Sequence, residues 1–403
     1  MSSRNINGVS SLVSRRVKRV KPSPTMAATA RAAALRAAGR DIISLTAGEP
    51  DFDTPAHIAE AGITAILEGH TRYTDVGGTA ELKDAIRAKF ARDNHLDYER
   101  KQILVSTGAK QSLFNLCLAL LDPEDEVVIP APYWVSYPDM VRIADATPVI
   151  VPTKAESGYK MSARQLAAAI TPKTRLLLIN SPSNPTGAAY LRREWQELGE
   201  VLLEHPRIVI GTDDMYEKIW WADEPFSTLA EVVPALYERT VTINGVSKSH
   251  AMTGWRIGYC GGPAELIAAM ATIQGQSTSN PSSIAQRAAV MALNGDQACV
   301  AAMNAAYRER HDFLVPALNA LPGVRCRAGA GTFYAFADIS EALQTLQIAD
   351  DTTFAEQLLE QTGVAVVPGS GFGAPGHMRL SFATGLPQLQ DAVERLQRFL
   401  RPA

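Results

Sequence analysis

TVTINGVSKSHAMTGWRIGY, residues 240–259, is the stretch on which the reading of the whole chain turns. Its first four residues are a short apolar run that reads as a buried strand. Lys248 falls on the loop leaving that strand, among small and polar residues, with Arg256 eight positions further on. A lysine held there can be stripped of water and made an amine nucleophile. Taken alone, a lysine in a Gly/Ser loop is an ordinary surface residue. Its weight comes from what stands at the ends of the other strands.

Five further runs of the same kind precede it: QILVST from Gln102, EVVIP from Glu126, TPVIVP from Thr147, RLLLIN from Arg175 and RIVIGTDD from Arg207. Short, almost wholly apolar strands separated by helical stretches are what a mostly parallel sheet covered on both faces requires. In such sheets ligands bind outside the carboxyl ends of the strands, so the loops leaving them are where chemistry is expected. Upstream, Arg31 to Gly39 reads as an alanine-rich helix, His57 to Glu68 as another, and an amphipathic helix starts at Ala80 after Gly77 and Gly78. Residues up to about Ser11 read as poorly ordered. Downstream of Asn280-Pro281, an alanine-rich helical region, broken near Asn294-Gly295, leads to a second domain. That domain holds the strands GTFYAFADI and HMRLSFA, the helix FAEQLLEQTG and a last amphipathic helix to Leu400.

The 403 residues suit one large domain and one smaller one. A 46% hydrophobic and 20% charged composition is that of a soluble globular protein. The net charge of -3 offers nothing to nucleic acid or to an anionic membrane. Cys117, Cys260, Cys299 and Cys326 are scattered without metal spacing, which favours a reducing compartment and gives no metal site. No apolar run reaches membrane-spanning length. The basic segment SRRVKRVKPSPT lacks the apolar stretch of a secretory signal, so a cytoplasmic enzyme is expected.

The strand ends make a set. Gly108-Ala109-Lys110 opens a helix after LVST, with free backbone N–H groups suited to a phosphate. Tyr133 and Trp134 follow VVIP, Asn184 lies in the turn SPSNPTG after LLLIN, and Asp213, Asp214 and Tyr216 follow IVIGT. Each has an ordinary structural use: a helix start, a core aromatic, a turn, a capping aspartate. Together with Lys248 and Arg256 they answer the needs of pyridoxal 5′-phosphate. That cofactor takes a lysine for its aldehyde, a carboxylate for its ring nitrogen, donors for its ring oxygen and a clamp for its phosphate.

The chain resembles the class I aminotransferases of fold type I, in the bacterial aspartate and prephenate aminotransferase subgroup. The motifs that carry the resemblance include KPSPT, AGEPDFDTP, YTDVGGTAELK, STGAKQSLFN, NSPSNPTG, DDMYE, NGVSKSHAMTGWRIGY, GTFYAF and MRLSFA. It implies an α/β fold with a mostly parallel seven-stranded sheet in a large domain (51–300) and a smaller α+β domain (301–403). Residues 1–50 would form an N-terminal arm and part of the smaller domain. It implies that Lys248 bonds the cofactor aldehyde and moves the substrate proton, that Asp213 faces the ring nitrogen, and that Tyr216 and Asn184 donate to the ring oxygen. Trp134 would stack on the ring; Gly108, Ala109 and Arg256 would hold the phosphate, with Tyr73 reaching it from a partner in a homodimer. Arg379 would clamp the substrate α-carboxylate against Gly48, Lys110 would take the second carboxylate, and Thr25, with Lys21 beside it in KPSPT, would help to close the site.

The activity implied is transfer of an amino group between aspartate or glutamate and a 2-oxo acid, with prephenate as a further acceptor. The same residues suit an aromatic or kynurenine preference, or a lyase of the same fold. A non-catalytic sensor of this fold would carry a DNA-binding module, and nothing before Asp41 is long enough for one. One departure from the wider family is Gly245, where other members carry a phosphate-binding serine; Ser247 is the candidate substitute.

Overall fold

The computed structural model describes residues 13–401, so the expectation for residues 1–11 lies outside the described residues. The large sheet is built from β1 (Ile103–Ser106), β2 (Glu126–Ala131), β3 (Thr147–Pro152), β4 (Thr174–Asn180), β5 (Val209–Asp213), β6 (Thr240–Gly245) and β7 (Gly258–Gly261). Their spatial order is β1-β7-β6-β5-β4-β2-β3. The β3-β2-β4-β5-β6 pairs are parallel, and β7 runs antiparallel between β6 and β1. The sheet is therefore the expected seven-stranded one, six of its strands matching the apolar runs. β7 is the strand not foreseen, and it lies within and just beyond the stretch that opened the reading.

Alternation along the strands sends successive side chains to opposite faces. Leu176 and Leu178 of β4 pack with Leu113, Leu116 and Cys117 on one side. Leu177 and Ile179 pack with Trp195, Leu198 and Leu202 on the other. Burial on both faces is why these strands carry no polar alternation.

The helices preceding and following β1 begin on readable signals. α1 (Pro24–Ala37) starts seven residues before the expected Arg31, because Ser23 caps it by accepting from the Met26 N–H at 3.4 Å and Pro24 occupies its first position. Gly39, at φ +84, lies just past its end. α2 (Ala56–Leu67) and α3 (Ala80–Asn94) fall where expected, the latter capped by Thr79. α4 (Ala109–Leu120) follows β1 directly, and α5 (Tyr137–Ile143) follows β2.

A second, antiparallel sheet contains β8 (Arg325–Cys326), β9 (Tyr334–Asp338), β10 (Val367–Pro368) and β11 (His377–Ser381), in the order β10-β11-β9-β8. In it Phe336 stands opposite Arg379 and Tyr334 opposite Ser381. Ile43–Ser44 pairs in parallel with Val364–Ala365, tying the segment after α1 to the C-terminal part of the chain. No helix among the described residues is long and apolar enough to cross a membrane.

Candidate active site

Parallel register brings the ends of β4, β5 and β6 level: Asn180 pairs with Asp213, and Asp213 with Ile243. Asp213 is 7% exposed. Its Oδ2 accepts from the Tyr137 hydroxyl at 2.6 Å and its Oδ1 from the Met215 N–H at 3.3 Å. Burial raises its pKa to about 6, against the pull of those two hydrogen bonds and of Lys248. Asn180 fixes the local backbone twice. Its side-chain amide donates to the Asp213 carbonyl at 2.6 Å, and its Oδ1 accepts from the Asn184 N–H at 2.7 Å.

Lys248 leaves the end of β6 and donates to the Gly48 carbonyl. Its side chain is only partly covered, but the ammonium lies deep enough that burial lowers its pKa to about 8. Glu49 opposes that shift, while Arg256 and Arg379 add to it. Tyr216 is buried, its hydroxyl 3.0 Å from that of Tyr334.

Arg379 is 2% exposed. Nη1 donates to Asn184 Oδ1 at 3.0 Å and Nη2 to the Thr46 carbonyl at 2.7 Å, while Nε has no partner. The guanidinium carbon lies 4.4 Å from the Tyr334 ring centroid and 4.9 Å from that of Phe372. Among the described residues no carboxylate pairs with it, and burial lowers its pKa. A buried guanidinium without an anion is costly to maintain, and it is a ready seat for one.

At the start of α4, Gly108 holds φ at +81, a conformation that favours glycine, and a Cβ there would collide with the Arg256 guanidinium. Arg256 donates to the carbonyls of Thr253 at 2.9 Å and Thr107 at 3.4 Å. A glycine and an arginine thus meet at the N-terminus of one helix, where an anion is favoured. Gly245 is equally confined: a Cβ would press to 3.1 Å of Gly258 Cα and of the Ile257 carbonyl. A serine at position 245 would need those neighbours to give by a few tenths of an ångström; Ser247 is buried on the same turn.

Lys110 projects over Trp134, its Nζ 4.8 Å from the ring, with its pKa lowered by burial and by Arg256. Lys110 lines a cleft of about 1630 Å³ whose walls also include Lys21, Tyr133, Arg142 and Arg256. Lys248, Asp213 and Arg379 do not line this cleft, here called the vestibule, and its walls also carry the acidic Asp139, Glu356 and Glu360. Thr25, in the first turn of α1, has a hydroxyl with no hydrogen-bond partner.

Most of the expected residues converge: Gly48 with Lys248, Asn184 with Arg379, Gly108 with Arg256, Lys110 with Trp134. Tyr73 does not join them. It is 93% exposed and points away from its own chain. Three residues of the site were not foreseen, Tyr137, Asn180 and Tyr334. Asn180 and Tyr334 lay inside quoted motifs and Tyr137 just beyond Tyr133 and Trp134, but none carried a signal of its own beyond being polar near a strand.

The aminotransferase class I and II family model matches residues 40–396. The chain belongs to that family. It is 56% identical over 394 residues, 96% of this chain and 99% of the relative, to the aspartate/prephenate aminotransferase of Nitrosomonas europaea. It is 48% identical to the aspartate aminotransferase of Bacillus subtilis over 96% of this chain and 98% of that one. Among solved structures, the Rhizobium meliloti aspartate aminotransferase superposes with a TM-score of 0.92 at 48% identity, covering 96% of this chain and 98% of that one. The Thermus thermophilus aspartate aminotransferase with maleate gives 0.90 at 44% identity, covering 96% and 99%.

Family members are pyridoxal 5′-phosphate-dependent enzymes, and the groups gathered here fit that cofactor. There is an amine of depressed basicity, a buried carboxylate, a helix N-terminus beside an arginine and, among the described residues, a buried arginine without a carboxylate partner.

Proposed function

We propose that this aminotransferase moves the amino group between aspartate or glutamate and a 2-oxo acid in a two-stage, ping-pong cycle, with prephenate among its acceptors. The observation that carries the reading is Arg379: a buried guanidinium, braced by two aromatic rings, that needs only a carboxylate to be complete. Lys110 at the vestibule supplies a second cation, so a dicarboxylate meets one charge at each end. The names of the Nitrosomonas europaea and Bacillus subtilis relatives, and the maleate of the Thermus thermophilus structure, support a dicarboxylate substrate.

When bound, pyridoxal phosphate supplies an aldehyde that takes up the amino group and a ring that accepts electrons released at the substrate Cα. The chain supplies the rest. Lys248 Nζ, whose proton is lost near pH 8 rather than above 10, takes the proton from the substrate Cα as a neutral amine. Asp213 would pair its negative charge with the ring nitrogen, and Tyr216 and Asn184 would offer hydrogen bonds to the ring oxygen. Trp134 covers the ring face. Gly108, Ala109 and Arg256 hold the phosphate. Arg379 fixes the α-carboxylate beside Gly48, and Thr25 and Lys21 close the vestibule over the acceptor.

The working unit in this reading is a homodimer. Tyr73 is 93% exposed, and Ile63, Ile66 and Leu67 on one face of α2 are 58%, 53% and 82% exposed. A second copy would cover these residues and bring its Tyr73 to the phosphate. Four free cysteines, three of them buried, support a reducing, cytoplasmic setting. We take residues 51–300 as the cofactor-binding domain, 301–403 as the smaller one, and 1–50 as an arm shared with it.

The test is a half-reaction experiment. Aspartate should discharge the visible band of the holoenzyme; oxaloacetate, 2-oxoglutarate and prephenate, added separately, should restore it. Restoration by aromatic oxo acids but not by the small dicarboxylates would overturn the substrate assignment.

A further inference from the structure

Tyr334 touches both halves of this site, Arg379 on one side and Tyr216 on the other. It is 2% exposed, on β9, opposite Ser381 and diagonal to Arg379 across the strand pair. Its two chemically distinct parts face different partners. The ring face lies against the Arg379 guanidinium at 4.4 Å, a separation at which the ring quadrupole attracts the cation. The hydroxyl lies 3.0 Å from the Tyr216 hydroxyl. Gly48 leaves the space for it: a Cβ at position 48 would come within 2.9 Å of that oxygen, and the same residue's carbonyl receives the Lys248 ammonium.

Two buried phenols in hydrogen-bond contact have one direction open to them once the first is committed elsewhere. A Tyr216 hydroxyl that donates to the cofactor ring oxygen must accept from Tyr334. Both phenols have raised pKa values, through burial first, so both keep their protons. The charged groups acting on the pair are Arg379, Asp213 and Glu49. A donated hydrogen bond polarises the acceptor's own O–H and strengthens the bond that it makes in turn.

We propose that Tyr334 is a positioning residue that couples the two ends of the site: its ring braces the arginine that receives the substrate carboxylate, and its hydroxyl orients and polarises the Tyr216 hydroxyl that faces the cofactor. The proposal rests on the roles given above to Arg379 and Tyr216.

Two substitutions separate the two parts. Tyr334→Phe keeps the ring and removes the hydroxyl; Tyr334→Leu removes both. Three quantities are read on each holoenzyme and its apoenzyme: the pH midpoint of the visible cofactor band, the dissociation constant for pyridoxal phosphate titrated into apoenzyme, and the dissociation constant for maleate. In Tyr334→Phe the midpoint should move upward by about half a pH unit or more, because a less polarised Tyr216 stabilises negative charge on the ring oxygen less. Cofactor binding should weaken several-fold, and maleate binding should stay within about twofold, since the ring still faces Arg379.

Tyr334→Leu should add a loss of maleate affinity of about tenfold. A Tyr334→Phe enzyme with wild-type melting temperature, midpoint and cofactor affinity would overturn the proposal, whatever the leucine variant does. A wild-type protein that shows no cofactor band would instead strike the functional reading beneath it.

Discussion

The Tyr137 hydroxyl donates to Asp213 Oδ2 at 2.6 Å, from the first residue of α5 to the last residue of β5. The phenol is fully enclosed and keeps its proton, because burial and the neighbouring carboxylate both raise its pKa. It is therefore a permanent donor that holds the aspartate charged and aimed. The same ring packs edge-on against Trp134 with centroids 5.3 Å apart, so one residue sets both the carboxylate and the aromatic cover. Tyr137→Phe keeps the packing and removes the donor. Cofactor affinity should fall by about tenfold, the worth of one hydrogen bond to a charged group. The acidic limb of the kcat profile should also move to higher pH, since Asp213 then protonates more readily. An unchanged affinity measured by cofactor titration would show that Tyr137 merely fills space.

Asp213 itself should weaken the apoenzyme. Its folded pKa of about 6 lies above its unfolded value of 3.8, so the folded state binds its proton more tightly. Stability from this group is full below pH 3.8 and is lost as the pH rises through 6. At pH 7 the penalty is about 3 kcal/mol. Asp213→Asn should accordingly stabilise the apoenzyme in denaturant titrations at pH 7, by about 1 to 3 kcal/mol, while reducing turnover by several orders of magnitude. A variant that is less stable than wild type at pH 7 would show that the carboxylate is better solvated in the fold than its enclosure indicates.

Lys248→Ala should abolish turnover and the visible cofactor band and leave the melting temperature of the apoenzyme within a few degrees. The lysine contributes one hydrogen bond, to Gly48, and its buried ammonium already costs stability. Circular dichroism and absorbance on the same sample decide it; retained turnover would remove Lys248 from the mechanism.

The two cations should separate by substrate. Arg379→Ala should lower kcat/KM for every amino acid, by about a thousandfold, because all share the α-carboxylate and because the Asn184 and Thr46 acceptors lose their donor. Lys110→Ala should cost aspartate about tenfold or more and leave alanine almost unaffected, if this flexible point charge meets only the second carboxylate as proposed. Equal losses for the two amino acids would place Lys110 outside side-chain recognition.

Much of this site was legible because the chemistry lies where parallel strands end, and those strands announce themselves as apolar runs. β7 was not legible: GYCG is four residues long with glycine at both ends, and it shows neither alternation nor a long apolar run. Its glycine content has a physical cause, since a Cβ at Gly258 would collide with the Gly108–Ala109 backbone at the start of α4. The early start of α1 was readable from Ser23-Pro24 and was masked by the stronger alanine signal after Arg31. Tyr137 and Tyr334 could not be assigned from sequence, because a phenol's partner depends on which strand ends the fold places together. The exposure of Tyr73 likewise has meaning only once the chain is folded.

A last prediction concerns the turn carrying Lys248. Two residues on, His250 is 3% exposed. Its Nδ1 lies 2.7 Å from Ser249 Oγ and its Nε2 3.1 Å from Gln297 Oε1. The Gln297 amide donates to the carbonyls of Ala292 at 2.9 Å and Gly295 at 2.8 Å, which turns its oxygen toward the histidine. The ring is thus a neutral imidazole that donates through Nε2 and accepts from the serine at Nδ1. Burial lowers its pKa to about 4, below the usual 6.5, with Lys218 and His57 adding to the effect. The unfolded chain therefore takes up a proton that the fold refuses. The stability held above pH 6.5 is lost as the pH falls toward 4, by up to about 3 kcal/mol. His250→Gln, which cannot titrate, should lose some stability at pH 7 through poorer packing, yet show a shallower decline between pH 6.5 and 4.5. Urea denaturation of both proteins across that range provides the measurement. Parallel declines would mean that His250 is protonated in the folded state and that the Lys248 turn tolerates the charge.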